Sequence, residues 1–353
     1  MSTSTDVSPA TQLRWHAPNV PPFSLSGFAW YAEERVYRRL PRQPRQPLPE
    51  AVDHLANNTA GGQIRFQTDS TRLAIRVRLP APADMDHMPA SGQCGFDCYL
   101  GAPGEQRYHS TTRYAHQGAT EYEYQLFTAS TRAMRHFTLN FPLYQGVEEV
   151  QIGLDESAQI LPPFPYGDSG RVVVYGTSIT QGGCASRPGM AYTNILSRRL
   201  NREFINLGFS GSGRGEPEVA EVIAEISDVA CFVLDYEANV DTTENMQRTL
   251  PEFIRILRAA HAETPILVVS RIPFAYDLTN AEERNTRERN RDYQRATVET
   301  LQRNGDAAIF FHDGSLLLGE RADECTVDGI HPSDLGFMRI ADALELVLRA
   351  IVG

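Results

Sequence analysis

The sequence contains no lysine, so all 33 basic residues of the 353-residue chain are arginines. Without a lysine amine, the protein cannot form a lysine Schiff base, attach pyridoxal phosphate or contain a Walker-type P-loop. A compositional bias of the source genome is the simplest reason for this absence. The absence still excludes three groups of enzyme mechanisms.

Cysteine is also scarce, with five residues spread widely along the chain: Cys94, Cys98, Cys184, Cys231 and Cys325. An odd number at irregular spacing argues against a disulfide framework and favours reduced thiols in a cytoplasm. Cys94 and Cys98 are close together, but no second cysteine or histidine pair has the spacing of a zinc site. We therefore predict neither a metal nor another cofactor.

Long hydrophobic runs and an excess of positive charge are missing too. No stretch approaches the roughly 18 apolar residues of a membrane span. The segment MSTSTDVSPATQLRW lacks the basic start and apolar run of a secretory signal. The formal net charge of −11 argues against nucleic acid or an anionic membrane as the main partner, because both require a basic surface. We expect a cytoplasmic protein with an uncharged substrate. The sequence is also compatible with a homo-oligomer.

Hydrophobic patterning divides the chain into two parts. In residues 1–165, apolar and polar residues alternate in short segments that are separated by glycine, proline and asparagine clusters. Alternation of period two is typical of strands with one solvated face, so this part predicts an antiparallel, jelly-roll-like β-sandwich. The segments are QIRFQ (63–67), LAIRVRL (73–79), QCGFDCYL (93–100), HFTLNF (136–141) and EVQIGL (149–154).

Residues 166–353 have a different pattern, and LPPFPYGDSG (161–170) marks the transition. Short apolar runs are each followed by a helix-like segment. This order predicts an α/β domain with a flavodoxin-like, doubly wound parallel sheet, in which ligands bind beyond the carboxyl ends of the strands. The runs are VVVYG (172–176), FINLGF (204–209), ACFVLDY (230–236), PILVVSR (265–271) and AAIFFHD (307–313).

Ser178 in GTSIT directly follows the first apolar run. A serine is a weak nucleophile near neutral pH and needs a base that is itself oriented by a third group. His261 lies near a helix end, which leaves His312 and His331 as candidates outside the predicted sandwich. Asp328 precedes His331 by three residues in DGIHPSD and can hold its imidazole by a hydrogen bond, so His331 is favoured. The histidines assigned to the sandwich are His16, His54, His87, His109, His116 and His136.

Acyl transfer also needs hydrogen-bond donors for the oxyanion of the tetrahedral intermediate. Candidates at strand ends are the backbone N–H of Ser178, that of a glycine in GFSGSG (208–213), and the side-chain amide of Asn239 in DYEAN (235–239). GTSITQGG could alternatively form a phosphate cradle at a helix N-terminus. That alternative is disfavoured because neither a lysine nor a G-x-G-x-x-G motif accompanies the segment.

The order of serine, glycine, asparagine and a late Asp-x-x-His over residues 171–350 resembles the SGNH hydrolases, which include the GDSL esterases. The resemblance implies that Ser178 is the nucleophile and the first oxyanion donor. It further implies that Gly208 and Asn239 complete the oxyanion hole, and that Asp328 orients His331 as the base. The nucleophile block reads GTSIT rather than GDSL, and lacks the second glycine of an α/β-hydrolase elbow, which disfavours that other fold.

The first part of the chain resembles the N-terminal sandwich of a bacterial subgroup of these enzymes. GFDCYL (95–100) approximates the G-x-D-L-Y motif of the subgroup, with Cys98 in place of leucine. The resemblance implies that Asp97 and Tyr99 border the active site, against the plainer interpretation of a turn aspartate and a core tyrosine. Arg187 and Arg271 are further candidates for binding a substrate oxygen, with surface or salt-bridge roles as the alternative.

Together these features predict a serine esterase. The resemblance implies removal of a small acyl group, such as acetyl, from a carbohydrate or similar polyol, so the expected partner is a small-molecule or oligosaccharide ester. Acyl transfer to another hydroxyl is one alternative. A carbohydrate-binding protein without activity is another, but the joint retention of Ser178, His331 and Asp328 argues against it.

Overall fold

The structure, a computed structural model, describes residues 12–167 and 170–353. Within them, ten strands and three short helices precede the parallel sheet. The strands are β1 (Leu13–His16), β2 (Ser24–Ser26), β3 (Gln63–Thr68), β4 (Arg72–Arg78), β5 (Asp97–Leu100), β6 (Arg107–Thr111), β7 (Glu121–Thr128), β8 (Arg135–Asn140), β9 (Glu149–Asp155) and β10 (Ile160–Leu161). The helices are α1 (Tyr31–Glu34), α2 (Glu50–Leu55) and α3 (Ala90–Gln93).

These strands form two antiparallel sheets around one hydrophobic core. One sheet has the order β1-β9-β4-β7, and the other has the order β10-β3-β8-β5-β6 with β2 also paired to β3. Strand β4 illustrates the pattern, because Ile75 and Val77 are buried in the core while Arg76 and Arg78 are exposed. Cys94 and Cys98 both lie in the same core. The predicted antiparallel sandwich is confirmed.

The described residues of the second part form a parallel sheet and six α-helices. Its strands are β11 (Arg171–Gly176), β12 (Phe204–Gly208), β13 (Val229–Asp235), β14 (Ile266–Val269) and β15 (Ile309–His312). Its helices are α4 (Ser178–Gln181), α5 (Tyr192–Leu200), α6 (Pro217–Ile223), α7 (Thr243–Ala260), α8 (Ala281–Arg303) and α9 (Asp334–Val352). The predicted division at residues 165 and 166 falls in the connection between β10 and β11.

The sheet has the order β12-β11-β13-β14-β15, and all of its strands are parallel. Val172 and Val174 of β11 pack in a core with α5 and α9, whereas Val173 and Tyr175 pack in a core with α6 and α7. The continuous apolar run is thereby explained, since both faces of β11 are covered. The strand order reverses at β11, which opens a crevice at its carboxyl end and confirms the predicted doubly wound sheet.

The sandwich packs directly on the parallel sheet. Met88 and Leu143 of the sandwich belong to the same core as α5 and α9. Arg39 is fully buried, and its guanidinium donates to the backbone carbonyls of Asn58 and of Gly208 at the end of β12. Buried residues of the two parts therefore pack against each other beside the crevice. In the part of the chain that the structure describes, no helix has the length and apolar character needed to cross a bilayer.

Candidate active site

Ser178 is the first residue of α4 and follows the end of β11 almost directly. Thr177 caps this short helix, because its hydroxyl accepts a hydrogen bond from the Ile179 amide at 3.3 Å. Gly176 makes the tight turn possible, since a Cβ there would lie 2.0 Å from Oγ1 of Thr180. The turn holds the Ser178 hydroxyl at the carboxyl edge of the sheet, where the sequence predicts it.

His331 and Asp328 lie in the loop before α9, and both are within hydrogen-bond distance of their predicted partners. Nε2 of His331 lies 2.9 Å from Oγ of Ser178, and Nδ1 lies 2.7 Å from Oδ2 of Asp328. Burial would raise the pKa of Asp328, but hydrogen bonds from the His331 ring and from the amides of Ile330 and His331 lower it to about 2. Asp328 is therefore ionised at neutral pH and accepts the Nδ1 proton, which leaves Nε2 free to accept a proton from the serine.

Backbone contacts fix the loop that carries His331. The Val327 amide donates to the His331 carbonyl at 2.9 Å, and the Ala275 amide donates to the Gly329 carbonyl at 2.7 Å. Gly329 has a φ of 85°, a conformation that favours glycine. The loop is thus held by the segment that follows β14. His312, the alternative base, ends β15, and its Nε2 is buried without a partner among the described residues.

The predicted oxyanion donors Gly208 and Asn239 are engaged elsewhere. The Gly208 amide donates to Oδ1 of Asn206 at 3.0 Å, so it is not free to bind an oxyanion. The Asn239 side chain donates to the carbonyls of Phe209 and Gly213, both at 3.2 Å. Asn239 therefore holds the turn over residues 209–213 in place.

Two other backbone amides are free. The amides of Ser178 and Gly211 have no acceptor among residues 12–167 and 170–353. Gly211 is exposed at the tip of the turn that Asn239 holds. That turn packs over the start of α4, since the Phe209 amide donates to the Gly176 carbonyl at 3.0 Å and the Ser210 amide donates to Oε1 of Gln181 at 3.1 Å. GFSGSG thus offers a free donor at Gly211 rather than at Gly208.

Asp97, Tyr99 and Arg187 meet at the contact between the sandwich and the parallel-sheet part. The Arg187 guanidinium donates to Oδ2 of Asp97 at 2.9 Å and to the Tyr99 hydroxyl at 2.6 Å. Oδ2 of Asp97 also accepts from the Gly189 amide at 2.7 Å. Asp97 is fully buried, so these contacts attach the segment after Cys184 to the sandwich. A substrate role for the three side chains stays a prediction.

Arg271 forms a buried ion pair. Its guanidinium donates to both carboxylate oxygens of Asp277, at 3.1 Å and 2.9 Å, and lies 4.2 Å from the ring centroid of Phe274. Arg271 is only 8% exposed. The pair stabilises the segment that supports the His331 loop, and substrate binding by Arg271 stays a prediction.

His87 is a site residue that sequence reasoning did not find, because its position assigned it to the sandwich. Its ring centroid lies 5.7 Å from that of His331. One ligand atom each of His87, Cys184, Asp328 and His331 lies within 4.8 Å of the other three. Two imidazoles, a thiol and a carboxylate are ligand types that Zn²⁺ accepts, so this is the group of described residues that could hold a metal.

Thr180 occupies the position where an α/β-hydrolase elbow would have glycine. Its hydroxyl donates to Oδ2 of Asp235 at 3.1 Å and lies 3.0 Å from the hydroxyl of Tyr192. Tyr192 donates to the same carboxylate oxygen at 2.7 Å. The threonine therefore joins the serine turn to the end of β13 and to α5.

Two family models match the chain. One is described as the GDSL-like lipase/acylhydrolase family and matches residues 169–349, and the other is the N-terminus of the Esterase_SGNH_hydro-type, which matches residues 13–160. No curated protein sequence matches.

Several solved structures are similar. A GDSL-like lipase from Bacteroides ovatus is 30% identical with a TM-score of 0.87, over 96% of this chain and 98% of that one. The salicylyl-acyltransferase SsfX3 from a tetracycline biosynthetic pathway is 19% identical with a TM-score of 0.74, over 96% and 98%. A family two carbohydrate esterase from Clostridium thermocellum, in complex with cellohexaose, is 16% identical with a TM-score of 0.58, over 82% and 92%.

Proposed function

Because the chain belongs to the GDSL-like lipase/acylhydrolase family and is a carboxylic ester hydrolase, we propose that Ser178, His331 and Asp328 are its catalytic triad. The observation that carries the proposal is the continuous hydrogen-bond chain from Oγ of Ser178 through the imidazole to the Asp328 carboxylate, at 2.9 Å and 2.7 Å. A serine so connected has a base within reach, and that base has a fixed tautomer.

The reaction proceeds in two steps. Oγ of Ser178 attacks the ester carbonyl carbon, and its proton passes to Nε2 of His331. The tetrahedral intermediate then collapses, the bond to the alcohol oxygen breaks, and His331 gives that oxygen the proton. In the second step His331 takes a proton from a water molecule that attacks the acyl-serine. The bond to Oγ of Ser178 then breaks, the acid leaves, and His331 returns the proton to Oγ. Asp328 keeps its negative charge throughout and stabilises the imidazolium that forms in each step.

Backbone amides stabilise the oxyanion in this proposal. The donors are the N–H groups of Ser178 and Gly211, because neither has an acceptor among the described residues. Asn239 contributes by fixing the turn that carries Gly211, through its two hydrogen bonds of 3.2 Å. Preorganised donors of this kind need no rearrangement when the oxyanion forms.

We propose a small acyl group, such as acetyl, on a carbohydrate or similar polyol as the substrate. Support comes from the family resemblance of the serine block and from the fold shared with the carbohydrate esterase of Clostridium thermocellum. The formal net charge of −11 is consistent with a neutral ester. The protein is expected to release acetate from acetylated mono- and oligosaccharides faster than longer acids from matched esters.

The experiment is a hydrolysis assay on wild type and Ser178→Ala, with p-nitrophenyl acetate and a set of acetylated sugars. We expect wild type to release acetate and the variant to lose at least a thousandfold in kcat. Ser70→Ala is the matched control, since Ser70 is a buried serine of the sandwich. Equal activity of wild type and Ser178→Ala would refute the triad. Activity confined to long-chain esters would refute the substrate class.

Acyl transfer is a second candidate function. The observation that favours it is the similarity to the acyltransferase SsfX3 over 96% of this chain, from the sandwich to α9. An alcohol would then replace water in the second step. Product analysis in the presence of a polyol acceptor distinguishes the two, because a transferase yields a new ester where a hydrolase yields free acid.

A further inference from the structure

We propose that Asp86 and His87 of the sandwich form a hydroxyl-binding subsite for the alcohol part of the ester. The proposal rests on the function proposed above, because it assigns the chemical class of ligand to one side of the same site. The alcohol that this subsite accepts carries a free hydroxyl close to the esterified oxygen, as a sugar or another polyol does.

His87 lies beside the reacting groups. Its ring centroid is 5.7 Å from that of His331, and one of its nitrogens lies within 4.8 Å of ligand atoms of His331 and Asp328. In the proposed reaction His331 hands a proton to the alcohol oxygen, so the departing alcohol must lie next to the His331 ring. We therefore place the alcohol on the side of the ring that His87 flanks.

The segment that carries His87 is anchored at both ends. On one side, Oε1 of Gln93 accepts from the amides of Asp84 and Met85 at 3.0 Å and 3.1 Å, and Nε2 of Gln93 donates to Asp84 at 2.7 Å. On the other side, Met88 is buried in the core shared with α5 and α9. His87 is thus held between two fixed points, as a recognition residue must be.

The anchored segment also packs on the serine side of the site. Helix α3 approaches the chain after the nucleophile so closely that a Cβ on Gly92 would lie 2.1 Å from the carbonyl oxygen of Ala185. The hydroxyl of Ser91 donates to the carbonyl of Ser186 at 2.7 Å. The sandwich therefore forms one wall of the site, and His87 projects from that wall.

Asp86 sets the hydrogen-bonding character of His87. Nδ1 of His87 lies 2.9 Å from Oδ1 of Asp86, and Nε2 has no hydrogen-bond partner in the described part of the chain. With its Nδ1 proton directed to the carboxylate, a neutral imidazole presents Nε2 as an acceptor for a hydroxyl proton. The His87 side chain is 35% exposed, so a ligand can reach it.

The test compares two esters of one acid, so that the acyl half is held constant. One is p-nitrophenyl acetate, whose leaving group has no second hydroxyl, and the other is a methyl hexoside carrying a single acetyl group. The variants are His87→Ala and, as a matched control, His54→Ala, which alters an exposed histidine of the sandwich. Fluorophosphonate labelling of Ser178 is measured on each protein.

For His87→Ala we expect kcat/KM on the sugar ester to fall about three- to tenfold further than on p-nitrophenyl acetate, mainly through KM, because one neutral hydrogen bond is lost. His54→Ala should leave the ratio of the two substrates unchanged. Parallel losses on both substrates, or no loss on either, would overturn the subsite. If wild type shows no labelling at Ser178, the proposed function fails instead, so the two failures are distinguishable.

Discussion

Glu237 gives the sharpest prediction about stability. It lies two residues before Asn239, is only 2% exposed, and its Oε2 accepts from the Arg271 amide at 2.8 Å and from Nε2 of Gln294 at 2.7 Å. Its Oε1 is buried without a partner in the described part of the chain. Burial raises the pKa of this carboxyl to about 7, although the hydrogen bonds from Arg271 and Gln294 oppose the change.

The size and sign of the effect follow from linkage. Each factor of ten in proton affinity corresponds to about 1.4 kcal/mol, so a pKa of about 7 in place of the ordinary 4.5 corresponds to about 3 kcal/mol. The folded state binds the proton more tightly. The stabilising contribution of the Glu237 carboxyl to the free energy of unfolding is therefore fully present below pH 4.5, and it is lost as the pH rises through 7.

Replacing Glu237 with glutamine removes this titration. Relative to wild type, the free energy of unfolding of Glu237→Gln should rise by about 3 kcal/mol between pH 4.5 and pH 8. Urea denaturation at several pH values measures the difference. Glu299→Gln, which alters an exposed carboxyl of α8, is the matched control. A constant difference between Glu237→Gln and wild type across this range would mean that the folded state does not bind the Glu237 proton more tightly than the unfolded state.

Three further predictions concern the site and its supports. Asn239→Ala should lower kcat about a hundredfold with little change in KM, because the turn that carries the proposed oxyanion donor loses its support; an unchanged kcat in steady-state assays would argue against this. Asp328→Asn should lower kcat about 10⁴-fold, since it favours the wrong imidazole tautomer, and near-normal turnover would contradict that role. Asp97→Ala should cost about 2–3 kcal/mol in urea denaturation, because it removes the fully buried carboxylate that pairs with the partly buried Arg187; a cost below about 1 kcal/mol would count against the pair's structural importance.

Much of the fold could be predicted because hydrophobic patterning is a local property. All five apolar runs of the second part became strands of one parallel sheet, since burial on both faces requires continuous apolar residues. In the sandwich, β7 (Glu121–Thr128) was missed. Its residues Tyr122, Tyr124 and Leu126 alternate with polar residues as the other strands do, so the signal was present. Strand β6, at the sheet edge and largely exposed, offers little such signal.

The site was predictable only in part, for a physical reason. Ser178, Asp328 and His331 follow strand ends or precede a helix, so the fold class brings them to one edge of the sheet. The position of His87 depends on how the sandwich packs, which no local pattern records. Likewise, only the placement of the Asn206 side chain shows that the Gly208 amide already has an acceptor.

Activation of Ser178 by His331 is testable by intact-mass measurement of the protein after brief exposure to a fluorophosphonate. Wild type should gain one adduct, located at Ser178 by peptide mapping, while Ser178→Ala gains none and His331→Ala reacts at least a hundredfold more slowly. Absence of the adduct in wild type, an adduct on another residue, or an undiminished rate in His331→Ala would contradict the claim.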